Sequence, residues 1–179
     1  MPSETPTNPI TEEDAADLDG SRVLIVDDNP QNVELLEAYL EALPCETLVA
    51  RDGVEAIEKV EREKPDIILL DIMMPRMSGY EVCQKIKSDP ATRDIPVLMV
   101  TALNEVGDVE RGVEAGADDF LSKPFHKLEF LTRVRSLLKM RLLKKRLDDA
   151  RAREIGAPPS IQIIAPTPEE LDEETSIED

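Results

Sequence analysis

The sequence holds one histidine, two cysteines and no apolar run approaching the roughly 18 residues of a membrane-spanning helix. A lone histidine, His126, excludes any site that needs two, such as a paired-histidine zinc centre. Cys45 and Cys83 have neither metal-ligand spacing nor the density of a secreted disulfide scaffold, so both read as buried or half-buried thiols without assigned chemistry. The N-terminus lacks the basic start and apolar block of a signal peptide. The expectation is a cytoplasmic protein that does not enter a membrane. Lys and Arg are absent from both ends: residues 1–20 carry six acids and no base, and residues 156–179 carry seven acids and no base. Together the two ends hold −13 of the net charge of −18. The −5 left over residues 21–155 is ordinary for a globular domain and disfavours direct nucleic-acid binding.

What is present is a chain of 179 residues with a hydrophobic fraction of 41%, enough for one domain with a core. Short aliphatic runs stand at RVLIVD (22–27), DIILLD (66–71) and IPVLMVT (95–101), each bounded by turn residues, with weaker candidates at CETLVA (45–50) and DDFLS (118–122). Continuous apolarity over so few residues predicts strands buried on both faces. Amphipathic segments alternate with them: Val33, Leu36, Leu40 and Leu43 form one helical stripe, and Ala56, Ile57 and Val60 another. Asn29 followed by Pro30 reads as an N-cap with proline at the first helical position, and Asp52 to Glu55 and Ser78 to Glu81 fit capping boxes. The alternation predicts a doubly wound parallel α/β sheet of five strands, with ligands bound beyond the carboxyl ends of the strands. From His126 no Gly or Pro interrupts the chain until Gly156, so one helix is expected to run past the domain. The expected organisation is an unstructured acidic segment over 1–20, a domain over 21–140, an extension of the last helix over 141–155 and an unstructured acidic tail over 156–179. IQII at 161–164 is the one apolar patch of that tail.

If the first and third aliphatic runs are neighbouring strands, Asp27, Asp28 and Asp71 emerge at one end of the sheet. Two carboxylates about 5 Å apart repel by roughly 3 kcal/mol at an effective dielectric near 20, so such a cluster takes up protons or binds a cation. Oxygen-only ligands with water access favour magnesium. The bland alternative makes Asp27 and Asp28 helix caps and Asp71 a turn residue, but Asn29 and Pro30 already occupy the cap and the first helical position. Thr101 closes the fourth strand with a hydroxyl, and SKPF places Lys123 just beyond the fifth. An ammonium, a hydroxyl and a cation around one carboxylate would stabilise a phosphoryl group there.

These residues resemble the receiver domain of two-component response regulators. The likeness covers about residues 21–140 and rests on LIVDDNPQN, IILLDIMMPRMSGYE, VLMVTA and GADDFLSKPF in the family's order. The resemblance implies a flavodoxin-like five-stranded parallel sheet flanked by five helices. It implies Asp71 as phosphoacceptor for a phosphohistidine on a sensor histidine kinase or phosphotransfer protein. Asp27, Asp28, Asp71 and the main-chain carbonyl of Met73 would hold Mg2+, with Mn2+ as a substitute. Lys123 would offset the new charge, Thr101 would turn toward the phosphoryl group, and Phe120 would follow it. A cis peptide before Pro124 is also implied. The switched surface would be the fourth helix, fifth strand and fifth helix, which binds a downstream protein; homodimerisation through the last helix is a further expectation. Such a chain is not an enzyme acting on a separate substrate. It catalyses its own phosphorylation and, because Met73 and Leu103 are apolar where a side chain could orient water, only slow dephosphorylation.

Two other aspartate or flavin chemistries fit less well. A haloacid-dehalogenase-like phosphatase needs a second carboxylate two residues after its nucleophile, where Met73 stands. A flavodoxin-type flavin binder wants hydroxyl and glycine donors after the first strand, where Asp27 and Asp28 would repel the phosphate. A receiver-like module that binds partners without phosphorylation, and the receiver portion of a larger output protein, are the remaining alternatives.

Overall fold

The computed structural model describes residues 16–102 and 105–156. Five strands, β1 (Ser21–Val26), β2 (Cys45–Ala50), β3 (Ile67–Leu70), β4 (Val97–Thr101) and β5 (Asp119–Ser122), form one sheet in the order β2-β1-β3-β4-β5. Every neighbouring pair is parallel, with Val26 beside both Ala50 and Leu70, and Thr101 beside Ser122. The helices are α1 (Pro30–Leu40), α2 (Gly53–Glu63), α3 (Gly79–Ser88), α4 (Val106–Glu114) and α5 (Lys127–Gly156). All five expected strands are present, including the two weak candidates, and β1 and β3 are neighbours as the site requires.

The aliphatic runs are continuous because the sheet has a core on each face, and the side chains divide with a period of two. Val23, Ile25, Ile67, Leu69, Leu98 and Val100 face α1 and α5, where Val33, Leu36, Leu40, Phe130, Val134 and Leu138 pack on them. Leu24, Val26, Ile68, Leu70, Val97 and Met99 face the other way, toward Ala56 and Val60 of α2 and Val82, Cys83 and Ile86 of α3. Each such buried aliphatic or aromatic side chain contributes about 1.5–3 kcal/mol. Burial pushes the Cys83 thiol up to about 11, in keeping with a structural role. In contrast, α4 buries only Gly112 among its nine residues, and Val106, Val109 and Val113 on it are exposed.

The helix starts follow the sequence closely. The Asn29 side chain accepts the Gln31 N–H with Pro30 at the first position, and Ser78 and Glu81 form a complete capping box. The box expected at α2 is modified: Asp52 accepts the N–H groups of Val54 and Glu55, but the Glu55 carboxylate reaches past the cap to the N–H of Arg51. Arg51 is the residue within its reach because Asp52 sits in a fully extended conformation, φ −153° and ψ 171°.

The long helix is continuous over 30 residues, about 45 Å. The unstructured segment expected over 1–20 is too long at its inner edge. Leu18 is fully buried in the α1/α5 core, and the Ser21 hydroxyl donates to its carbonyl at 2.7 Å. The apolar side chain of Leu18, isolated among acids, is what anchors it. Residues 1–15, 103–104 and 157–179, with Leu103 and IQII at 161–164, lie outside the described residues. No described helix is long and apolar enough to cross a membrane.

Candidate functional site

The site lies where β1, β3, β4 and β5 end together. In a parallel sheet all carboxyl ends share one edge, so the residue following each strand arrives in one crevice. Asp27 and Asp28 follow β1 and Asp71 follows β3, and their carboxylate oxygens lie within 4.8 Å of one another. Asp27 and Asp71 are buried, whereas Asp28 is exposed, so the cluster opens to solvent on one side.

Asp27 is the best supported of the three. Its carboxylate accepts the N–H of Asn29 at 2.9 Å, the side-chain amide of Asn32 at 3.0 and 3.3 Å, and pairs with the Lys123 ammonium at 3.4 Å. Asp71 accepts the N–H of Met73 at 3.5 Å, a long bond. Burial and then the Asp27 charge push its carboxyl above the ordinary value, against the pull of Lys123 and the Met73 amide. Lys123 is therefore shared: it is ion-paired to Asp27 and lowers the charge burden of Asp71 from beside it. A solvent-open, oxygen-only cluster of three carboxylates with too little positive charge of its own fits a hard divalent cation in size and donor type.

Thr101 is buried at the end of β4, and its carbonyl accepts the Lys123 N–H at 2.8 Å, which ties the two strand ends together. The Lys123–Pro124 peptide is cis, as the resemblance implied. Phe120 is half-buried on β5, its ring against α4: a Cβ placed on Gly112 would lie 2.2 Å from Phe120 Cζ. The Met73 side chain is 61% exposed, and only its amide is directed at Asp71.

Three contributors escaped the reading of the sequence. Asn32 lies one turn into α1, where it returns to Asp27; the asparagine facing a helix start from within was the available signal. Gly79 begins α3 where almost any residue would serve as helix former, yet a Cβ there would lie 2.3 Å from the Asp71 carbonyl. Its absence lets α3 press against the segment that carries Asp71. Gly112 provides the seat for Phe120. Neither close approach has a signature in spacing.

Known proteins bear on this geometry. The family description "Response regulator receiver domain" matches residues 23–135. The response regulator PleD of Caulobacter vibrioides is 49% identical over 134 residues, 75% of this chain and 29% of that protein. RpaA of Synechocystis, a DNA-binding dual master transcriptional regulator, is 43% identical over 118 residues, 66% of this chain and 49% of that protein. The chain thus matches less than half the length of either relative. Among solved structures, a response regulator from Chloroflexus aurantiacus superposes with a TM-score of 0.64 at 35% identity, covering 66% of this chain and 98% of that one. The receiver domain of the sensor histidine kinase PA1611 from Pseudomonas aeruginosa, which holds a magnesium ion in its active-site cleft, gives 0.62 at 33% identity over 66% of this chain and 98% of that one. With two-fifths or more of the aligned residues identical to such regulators, and its aspartates gathered at the strand ends, this chain belongs to the response regulator receiver domain family.

Proposed function

We propose that Asp71 accepts a phosphoryl group from a phosphohistidine and that the modification switches a partner-binding surface. The observation that carries this reading is the charge imbalance at the strand ends: a buried carboxylate, raised in pKa, lies beside two more carboxylates with one shared lysine. In the reaction a carboxylate oxygen of Asp71 forms a bond to phosphorus, the bond from phosphorus to the imidazole nitrogen breaks, and the nitrogen leaves with its electron pair. Asp27, Asp28, Asp71 and the Met73 carbonyl would hold Mg2+, or Mn2+ in its place. When bound, the ion supplies positive charge against the carboxylates and the phosphoryl oxygens. Lys123 would leave Asp27 for a phosphoryl oxygen, and Thr101 would turn its hydroxyl to another. Asn32 holds Asp27 oriented throughout.

A phosphodonor has a landing place next to the acceptor. Asn32, Leu35, Leu36, Lys123, Pro124 and Phe125 line a mostly apolar recess of about 240 Å³, and Leu35 is 45% exposed. On the far side of Thr101, α4 is the least anchored helix, held by Gly112 against Phe120 and by the Tyr80 hydroxyl donating to the Asp108 carbonyl at 3.0 Å. An element with so little buried surface is the one that shifts on modification. Its exposed valines, with β5 and α5, offer a downstream protein an apolar face. The ordinary charge of residues 21–155 supports output through protein partners rather than nucleic acid, and Met73 supports a long-lived acyl phosphate without turnover of a separate substrate. The test is intact mass after incubation with Mg2+ and acetyl phosphate. The wild type gains the mass of one phosphoryl group and Asp71→Asn gains none; an unmodified wild type would refute the reading.

A further inference from the structure

Most of α4 lies outside the two cores, yet its inner face meets two aromatic rings. At Gly112 the Phe120 ring of β5 fills the space that a Cβ would take. Nearby, Tyr80 of α3 meets α4 twice: its hydroxyl donates to the Asp108 carbonyl at 3.0 Å, and the Arg111 guanidinium carbon lies 4.4 Å from the centre of its ring. The Tyr80 ring is itself buried, in the core shared by the sheet, α2 and α3. Burial, and then the charge of Asp108, push its phenol above the ordinary value, so it stays a neutral donor near neutral pH. Beside the ring the two helices are held apart by a groove of about 320 Å³, with Gln84 on one wall and Glu114 on the other. Tyr80 spans this gap.

The root of Tyr80 is fixed to the segment that carries Asp71. The Gly79 N–H donates to the Ile72 carbonyl at 3.0 Å, α3 presses on the Asp71 carbonyl where Gly79 lacks a side chain, and the Ser78–Glu81 capping box locks the first turn. A displacement of α4 by about an ångström or two would therefore leave the ring behind. It would take the partner from a buried hydroxyl and slide Arg111 off the ring, so both interactions favour the present position of α4. We propose that Tyr80 is a latch, holding α4 where it stands and so opposing occupation of Asp71. The latch rests on the reading of Asp71 as a phosphoacceptor whose modification shifts α4, and it adds the residues that set the threshold of that shift. It is separate from Phe120, which meets α4 at Gly112 from β5. By linkage, whatever the latch contributes to the unmodified arrangement is subtracted from the affinity for a phosphoryl group or its analogue.

Calorimetric titration of the full chain with beryllofluoride, a phosphoryl analogue, in the presence of Mg2+ tests this, with hydrogen exchange of the unmodified protein alongside. Tyr80→Phe keeps the ring and its Arg111 contact and loses only the hydroxyl. It is expected to bind beryllofluoride about threefold more tightly than the wild type, and Tyr80→Phe/Arg111→Ala about tenfold more tightly. Arg111→Lys, which keeps a cation over the ring, stays within about twofold of the wild type. Amides of 106–114 exchange faster by similar factors in the tighter-binding variants while those of the sheet are unchanged. A general loss of folding would weaken binding instead. A wild type that binds beryllofluoride no less tightly than Tyr80→Phe/Arg111→Ala leaves the reading of Asp71 standing and overturns the latch alone. A wild type that binds none defeats that reading and the latch together.

Discussion

The two ends of the sheet use the same residue types to opposite ends. At the amino edge three aspartates stand before β1, β3 and β4, and each has its own cation from a single stretch of α5: Asp17 with Arg146 at 2.9 Å, Asp66 with Lys145 at 3.0 Å and Asp94 with Lys144 at 2.6 Å. Asp66 is also bonded to the Arg22 N–H at 2.9 Å, so both of its oxygens are used. At the carboxyl edge three aspartates share Lys123. One-to-one pairing makes a joint that holds α5 to the amino edge. A surplus of anions around one shared lysine leaves an electrostatic imbalance at the carboxyl edge that a cation would offset.

The largest effect expected on this contrast comes from Gly79→Ala. The added methyl must displace the backbone carbonyl of Asp71, and a loss of about 3 kcal/mol in urea unfolding, with slower phosphoryl uptake, is expected. A neutral substitution would show the carboxyl edge to be as pliable as the amino edge.

Asp71→Asn is expected to raise stability in metal-free buffer near neutral pH by about 2 kcal/mol, because it removes one buried like-charge contact. The sign follows from the raised pKa. The wild-type carboxyl contributes fully when protonated, below the ordinary carboxylate range, and that contribution is lost as pH rises through the elevated value. The advantage of Asp71→Asn over wild type should therefore shrink as pH falls toward about 4, which thermal unfolding across pH will show. Added Mg2+ should narrow the gap at neutral pH by stabilising the wild type.

At the amino edge the effects are smaller. Lys145→Ala leaves the buried Asp66 with its Arg22 bond alone and should cost about 1 kcal/mol. Lys144→Ala breaks a pair between two well-exposed side chains and should cost less than about 0.5 kcal/mol, fading with salt. Losses at Lys144 as large as those at Gly79 would dissolve the distinction between a joint and a site.

Much of this was readable along the chain because period and punctuation are local. The aliphatic runs marked the strands, Asn29-Pro30 and Ser78–Glu81 marked helix starts, and the aspartates closing two runs marked the edge where the carboxylates gather. Where a partner lies far away in sequence, the reading failed. Leu18 looked like part of an acidic tail because the α5 side chains that bury it come more than a hundred residues later. Gly79 and Gly112 looked like ordinary helix residues because the atoms they make room for belong to other elements.

By itself the sequence determined the alternation of strands and helices, the burial of the sheet on both faces, and which residues end each strand; these depend on hydrophobic period and on backbone preferences of neighbours. Only the tertiary structure decided that Lys123 rests on Asp27 while serving Asp71, that Asn32 returns to the same carboxylate, and that the basic root of α5 meets three aspartates one by one. Electrostatic interactions act over a few ångströms of space whatever the separation along the chain, so charge counts can be read from residues but charge balance at a point requires the fold.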